Sequence, residues 1–140
     1  MTPAFADVEV GYELPAQSFP ITRADLVRYC GASGDFNIIH WNERVATSVG
    51  LPNVIAHGMF TMAEAVRVVT DWLGDPGALL DYGCRFTRPV VVPDDDNGAT
   101  LTVSAKITEK RDDNTVVITI SASCDDSTVL GKAQAVVRLP

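Results

Sequence analysis

An α+β fold, in which a curved antiparallel sheet wraps one long helix, is what this 140-residue sequence predicts. Three observations carry that expectation. The second half of the chain contains four stretches in which apolar and polar residues alternate, the period of a half-buried strand. Short polar segments join some of these stretches, which suits hairpins and hence antiparallel pairing. Ahead of them lies a single long run with the helical period of about 3.6 residues.

Taken in order, an early strand is expected between Ala6 and Phe19. Thr22 then N-caps a helix with Asp25 in its first turn and Leu26, Val27 and Cys30 as an apolar stripe. Gly31 to Gly34 breaks it. Trp41 to Val49 reads as a short helix started by Asn42, and Gly50-Leu51-Pro52-Asn53 as a loop. The longest helix begins in the late fifties: Met59, Met62, Ala63, Val66, Val69, Thr70 and Leu73 fall on one side, with Thr61, Glu64, Arg67 and Asp71 opposite. Gly74-Asp75-Pro76-Gly77 ends it. The strands follow, with Leu80, Tyr82, Cys84 and Phe86, then Leu101, Val103, Ala105 and Ile107, each alternating with polar or small neighbours. Val116, Ile118, Ile120, Ala122 and Cys124 make the next, and Ala133, Ala135, Val137 and Leu139 the last. Arg111-Asp112-Asp113-Asn114 and Asp125-Asp126-Ser127-Thr128 are the polar turns between them.

Composition narrows the function classes. With 46% hydrophobic and 21% charged residues the chain is an ordinary globular sequence, and residues 1–140 read as one domain. A net charge of −7 argues against binding nucleic acid by phosphate neutralisation. Met1 to Gly11 has neither a basic cluster nor an apolar run, so no secretory leader is expected. No membrane span is expected either, because Met59 to Leu73 is interrupted by Glu64, Arg67 and Asp71. Cys30, Cys84 and Cys124 are odd in number and form no Cys-x-x-Cys pair, which suits free buried thiols and a cytoplasmic location. Lys106, Lys110, Arg111 and Lys132 admit two readings: a local basic patch for an anionic carrier, or the solvation of a sheet edge.

Both histidines sit in unusual surroundings. His40 closes the run Ser33-Gly34-Asp35-Phe36-Asn37-Ile38-Ile39-His40. On a regular helix Asp35 and His40 would point roughly 140° apart, at about 100° per residue. Gly34 and Asn37 favour an irregular loop instead, which can bring the two side chains to one cavity. A carboxylate beside an imidazole suits proton abstraction next to a carbonyl, since imidazole exchanges protons near neutral pH. The alternative is structural, with Asp35 a turn residue and His40 a hydrogen-bonded core histidine. His57 and Gly58 stand at the start of the long helix, where free backbone N–H groups can receive an anion or a carbonyl oxygen. The alternative reading is that His57 and Gly58 only shape that helix start. Asp94-Asp95-Asp96-Asn97-Gly98 hints at a calcium loop, but Pro93 occupies the first ligand position, so a solvated turn is expected. Asp35, His40 and His57 lack standard zinc spacing, and no metal is expected.

The run Tyr29-Cys30-Gly31-Ala32-Ser33-Gly34-Asp35-Phe36-Asn37-Ile38-Ile39-His40 resembles the active-site motif of the MaoC-like (R)-specific hydratases and dehydratases. The resemblance continues through Ala56-His57-Gly58-Met59, Arg85-Phe86-Thr87-Arg88-Pro89-Val90 and the C-terminal strands. Val69 to Gly77 is most similar to the catalytic subunits of actinobacterial (3R)-hydroxyacyl-acyl-carrier-protein dehydratases. The likeness implies a hot-dog fold, with catalytic Asp35 and His40, a loop supported by Asn37, Ser33 and Gly34, and an oxyanion or substrate-binding site at Gly58 and His57. It also implies reversible dehydration of (3R)-hydroxyacyl thioesters, carried by coenzyme A or acyl carrier protein, with no cofactor. A homodimer, or a heterodimer with a related hot-dog subunit, goes with it. Ile38 departs from the family pattern, which has proline there. His40 would most simply exchange the Cα proton while Asp35 handles the water, although the opposite division stays open. A hot-dog thioesterase and a non-catalytic acyl-binding subunit are the rival readings.

Overall fold

The computed structural model describes residues 2–140; Met1 lies outside them. A 3₁₀ turn at Phe5–Asp7 leads into strand β1, Glu13–Ile21, and helix α1, Arg23–Ser33. A second 3₁₀ turn, Ile38–His40, precedes helix α2, Glu43–Ser48, and helix α3, Gly58–Leu73. After a third at Pro76–Ala78 come β2, Leu79–Phe86; β3, Ala99–Lys110; β4, Thr115–Cys124; β5, Ser127–Thr128; and β6, Leu130–Arg138. All pairings are antiparallel, in the order β1-β3-β4-β6-β2, with β5 on β4.

The alternation in the sequence decides what this sheet covers. Leu101, Val103, Ala105 and Ile107 of β3, Ile118, Ile120 and Ala122 of β4, and Ala133, Ala135 and Val137 of β6 are all buried. They form one contiguous cluster with Val68, Val69 and Leu73 of α3. Burying each larger aliphatic side chain is worth about 1.5–3 kcal/mol, so this face is the main source of stability. The helix is thus wrapped by the sheet, the arrangement of a hot-dog fold. Its end is set by Gly74, whose φ of 68° is the left-handed cap that glycine adopts without strain.

Several boundaries and faces differ from the sequence expectation, each for a local reason. The first strand is Glu13–Ile21 rather than a segment starting near Ala6, because the chain first makes the turn at Phe5–Asp7. Thr22 and Asp25 form the full capping box, but α1 runs through Gly31 to Ser33 and stops at Gly34. Val27 faces outward, and Trp41 lies outside α2. Ser127–Thr128 is a short strand; the turn proper is Asp125-Asp126, both with positive φ, as a two-residue hairpin loop requires.

The buried stripe of α3 is Thr61, Ala65, Val68, Val69 and Leu73, so Thr61 moves inward while Met59 and Ala63 face out. Both sides of this helix are rich in apolar residues, and only the sheet's position chooses between them. On β2, Tyr82 and Cys84 are half-buried, whereas Leu80 and Phe86 are exposed. β2 is an edge strand with two register shifts, which upset a strict two-residue period.

Candidate active site

The segment joining α1 to α2 is built almost wholly from polar contacts. Gly34 takes φ 74°, and its N–H donates to the Cys30 carbonyl, turning the chain out of the helix. Ser33 Oγ donates to the Tyr29 carbonyl (2.6 Å) and accepts from the Asp35 N–H (3.1 Å). Asp35 Oδ1 accepts from the Asn37 N–H (3.1 Å), an Asx turn. Asn37 Oδ1 in turn accepts from the Ile39 N–H (3.4 Å), and its carbonyl from the His40 N–H. Each residue thus aims the next, and the 3₁₀ turn carries His40 inward.

His40 is 7% exposed and His57 only 2%, while Asp35 is exposed. His40 Nδ1 lies 2.7 Å from the Ile55 carbonyl. A carbonyl only accepts, so Nδ1 carries the proton and Nε2 keeps its lone pair. Ile55 is itself fixed, through its N–H to the Ile39 carbonyl and a bridge to Val91. Burial depresses the His40 pKa below the ordinary histidine value, and His57 adds to the effect. The Ile55 carbonyl and Asp35 oppose the shift without reversing it. Neutral His40, with its free nitrogen defined by geometry, has the form of a general base.

The His40 and His57 rings stack with centroids 3.7 Å apart. His57 Nε2 is 3.0 Å from the Asp35 carbonyl oxygen, so loop and helix start are joined. A carboxylate oxygen of Asp35 and one nitrogen from each ring lie within 4.8 Å of one another. That cluster is a poor chelate as it stands. Two imidazoles sharing an ion aim their in-plane lone pairs at it from about 2.0–2.1 Å, whereas stacked rings aim theirs side by side.

Next to His40 is a cavity of about 300 Å³, lined by Gly58, Thr61, Phe86, Arg88 and Leu130 among others. The Gly58 N–H meets no acceptor among the described residues, and His57 gives α3 no side-chain cap. It is therefore a free donor at the positive end of a 16-residue helix, suited to oxygen that gains charge. A Cβ at Gly58 would come within 3.0 Å of the Phe86 ring, so the glycine is needed for this close approach as well.

Asp35, His40, His57 and Gly58 are therefore brought together, with Ser33, Gly34 and Asn37 beneath them. Ile55, Thr61 and Phe86 also belong to the site, and side-chain chemistry in the sequence does not point to them. Periodicity puts Thr61 on the polar face of the helix; Ile55 acts through a carbonyl, which leaves no trace in side-chain chemistry; Phe86 carries no polar group. Two of the four cations noted on the last strands, Lys110 and Arg111, are committed elsewhere. Lys110 Nζ donates to the Phe5 and Val8 carbonyls and Arg111 pairs with Glu109, so they tie down local structure. Asp95 Oδ1 accepts from the Asn97 and Gly98 N–H groups, which makes Asp94 to Gly98 a turn.

Comparison with known proteins identifies the family. The family model described as "MaoC like domain" matches residues 7–124. The chain is 40% identical over 79 residues to 3-hydroxyacyl-thioester dehydratase X of Mycobacterium tuberculosis, covering 56% of this chain and 27% of that protein. It is 30% identical over 141 aligned positions to an (R)-specific enoyl-CoA hydratase of Rhodospirillum rubrum, covering 97% of this chain and 91% of that one. A solved structure described as a MaoC-like dehydratase superposes with a TM-score of 0.96 at 39% identity, over 99% of this chain and 43% of the other. This chain therefore spans well under half of two of these proteins and nearly all of the third. Sequence, fold and the disposition of the loop converge, and the chain belongs to the MaoC-like dehydratase family.

Proposed function

We propose that this chain is a hydro-lyase that interconverts (3R)-hydroxyacyl thioesters with trans-2-enoyl thioesters and water. The observation that carries the reading is the approach of the Asp35 carboxylate to the His40 ring, beside a cavity that also presents the free Gly58 N–H. The thioester oxygen accepts from Gly58, which stabilises the charge that develops when the Cα proton leaves. His40 Nε2 takes that proton. The C3–O bond breaks, and the same proton returns to the departing hydroxyl, held by Asp35, so that neutral water leaves and no net proton is consumed. Hydration follows the same path backwards. The names of the dehydratase and hydratase relatives support this reaction class.

The chain works, on this reading, as one domain within a homodimer or a heterodimer with a related subunit. The exposed edge strand β2, with Leu80 and Phe86 uncovered, supports pairing. No helix among the described residues is long and apolar enough to cross a membrane. The free thiols of Cys30, Cys84 and Cys124 suit the cytoplasm. Coenzyme A or an acyl carrier protein carries the substrate. The test is hydration of crotonyl-CoA by the purified chain, alone and with a candidate partner, following enoyl absorbance together with free thiol. Loss of absorbance without thiol release is the predicted result; thiol release at the rate of substrate loss would make the protein a thioesterase and overturn the reading.

A further inference from the structure

The proposed chemistry uses Asp35, His40 and Gly58, and leaves His57 without a direct role, yet His57 is the most enclosed polar side chain of the site. Its ring touches Asp35, His40, Tyr29 and Cys30. Nε2 donates to the Asp35 carbonyl at 3.0 Å, because a carbonyl offers only an acceptor. One face lies on His40 at 3.7 Å, and Tyr29 of α1 packs edge-on at 4.7 Å. Cys30 Sγ is 3.6 Å from Nε2. The other nitrogen, Nδ1, is buried without a partner, and His57 does not line the cavity beside His40.

The remaining anchors of Asp35 are local. Its N–H is held by Ser33 Oγ and its carboxylate by the Asn37 N–H, each two residues away. Among the described residues His57 supplies the hydrogen bond that ties this exposed loop to α3, and hence to the free N–H of Gly58. His40 has one ring hydrogen bond, to Ile55, which fixes a single direction; a stacked ring fixes the plane.

We propose that His57 is the positioning residue of this site, holding Asp35 through its backbone carbonyl and His40 through its ring face while exchanging no proton with substrate. The proposal rests on the hydro-lyase reading above. Its two contacts are separable by substitution. His57→Phe keeps an aromatic face and loses the donor; His57→Gln keeps an N–H near the Nε2 position and loses the ring.

The experiment compares wild type, both variants, His40→Ala and Asp35→Asn in enoyl-thioester hydration, measuring kcat, KM and the pH profile of kcat/KM. His57→Phe should lower kcat by about 10- to 100-fold with KM little changed, as a displacement of up to an ångström would. His57→Gln should recover a substantial part of that loss. Both should retain the acid limb of the pH profile, because His40 remains the base. Two results would overturn the proposal: wild-type kcat in both variants, or both as inactive as His40→Ala. Wild-type turnover in His40→Ala and Asp35→Asn would instead bring down the functional reading itself. If His57→Phe does not fold, His57→Leu, which loses both contacts, should fall below His57→Gln in kcat, and equal turnover in those two would overturn the proposal.

Discussion

Strands β3 and β4 hide Leu101, Val103, Ile107, Ile118 and Ile120 from solvent, whereas the loop from Gly34 to His40 leaves Phe36 61% and Ile38 43% exposed. The hairpin is held by apolar burial and an antiparallel ladder with one register shift, between Ile107 and Glu109. The loop is held by the side chains of Ser33, Asp35, Asn37 and His57 acting on backbone groups. The two regions divide stability from chemistry. A region whose stability comes from burial cannot spare its side chains for substrate. One held by short polar contacts can leave a carboxylate exposed beside a buried imidazole and contributes little to the apolar core.

The most severe test of that division is a large-to-small change in the sheet. Ile118→Ala, at a fully buried position of β4, should cost about 2–5 kcal/mol of stability while the protein that remains folded keeps near-normal kcat. Denaturant unfolding together with activity per folded molecule measures both, and an intact midpoint with lost turnover would erase the distinction.

Gly58→Ala probes the boundary between the regions. The added Cβ meets the Phe86 ring at 3.0 Å, and it also stands beside the N–H proposed to donate to the thioester oxygen. Turnover should fall by roughly 10- to 100-fold, the scale of a displaced reacting group, with little change in unfolding. The double variant Gly58→Ala with Phe86→Leu separates the two causes. Recovery of kcat points to crowding by the ring, and persistent loss points to crowding of the carbonyl.

The pH dependence concerns His40 alone. On the proposed mechanism activity requires the bare Nε2, and burial lowers the pKa below the ordinary value of 6.5. Activity should therefore persist as pH falls through 6.5 and disappear only on passing the depressed value. An acid limb of kcat/KM centred above 6.5 would show that His40 is not held in this buried, neutral form.

The smallest effect belongs to Ile38, where the family pattern has proline. The Ile38 N–H donates to nothing among the described residues, and Asn37 sits at φ −54° and ψ 126°, a conformation suited to the residue before proline. Ile38→Pro should leave activity intact and stabilise the fold by about 0.4–1 kcal/mol through the unfolded chain. A loss of more than that, read from thermal unfolding, would mean the loop depends on a backbone freedom that this geometry does not reveal.

What the sequence makes legible follows the same division. Period-two alternation in β3, β4 and β6 names their buried residues almost one for one, since a strand has only two faces. The existence of α3 is equally plain, but its orientation is not. Met59 and Ala63 are as apolar as Val68 and Ala65, and only the position of the sheet decides which are covered. In the loop, Gly34 and Asn37 reveal an irregular turn that brings Asp35 towards His40. The bond from His57 to the Asp35 carbonyl spans 22 residues and ends on a backbone atom, so no side-chain pattern announces it. The packing of Phe86 over Gly58 is likewise a product of the edge strand's register.

The account stands most directly on the separation of activity from folding at the dyad. Asp35→Asn and His40→Ala, assayed on one enoyl thioester and melted side by side with wild type, should each lose about two or more orders of magnitude in kcat, His40 as the general base and Asp35 as the group that positions the departing hydroxyl. Their unfolding temperatures should stay within a few degrees of wild type, because neither residue contributes to the apolar core. Near-normal turnover in either variant, with folding unchanged, would contradict the assignment of this site.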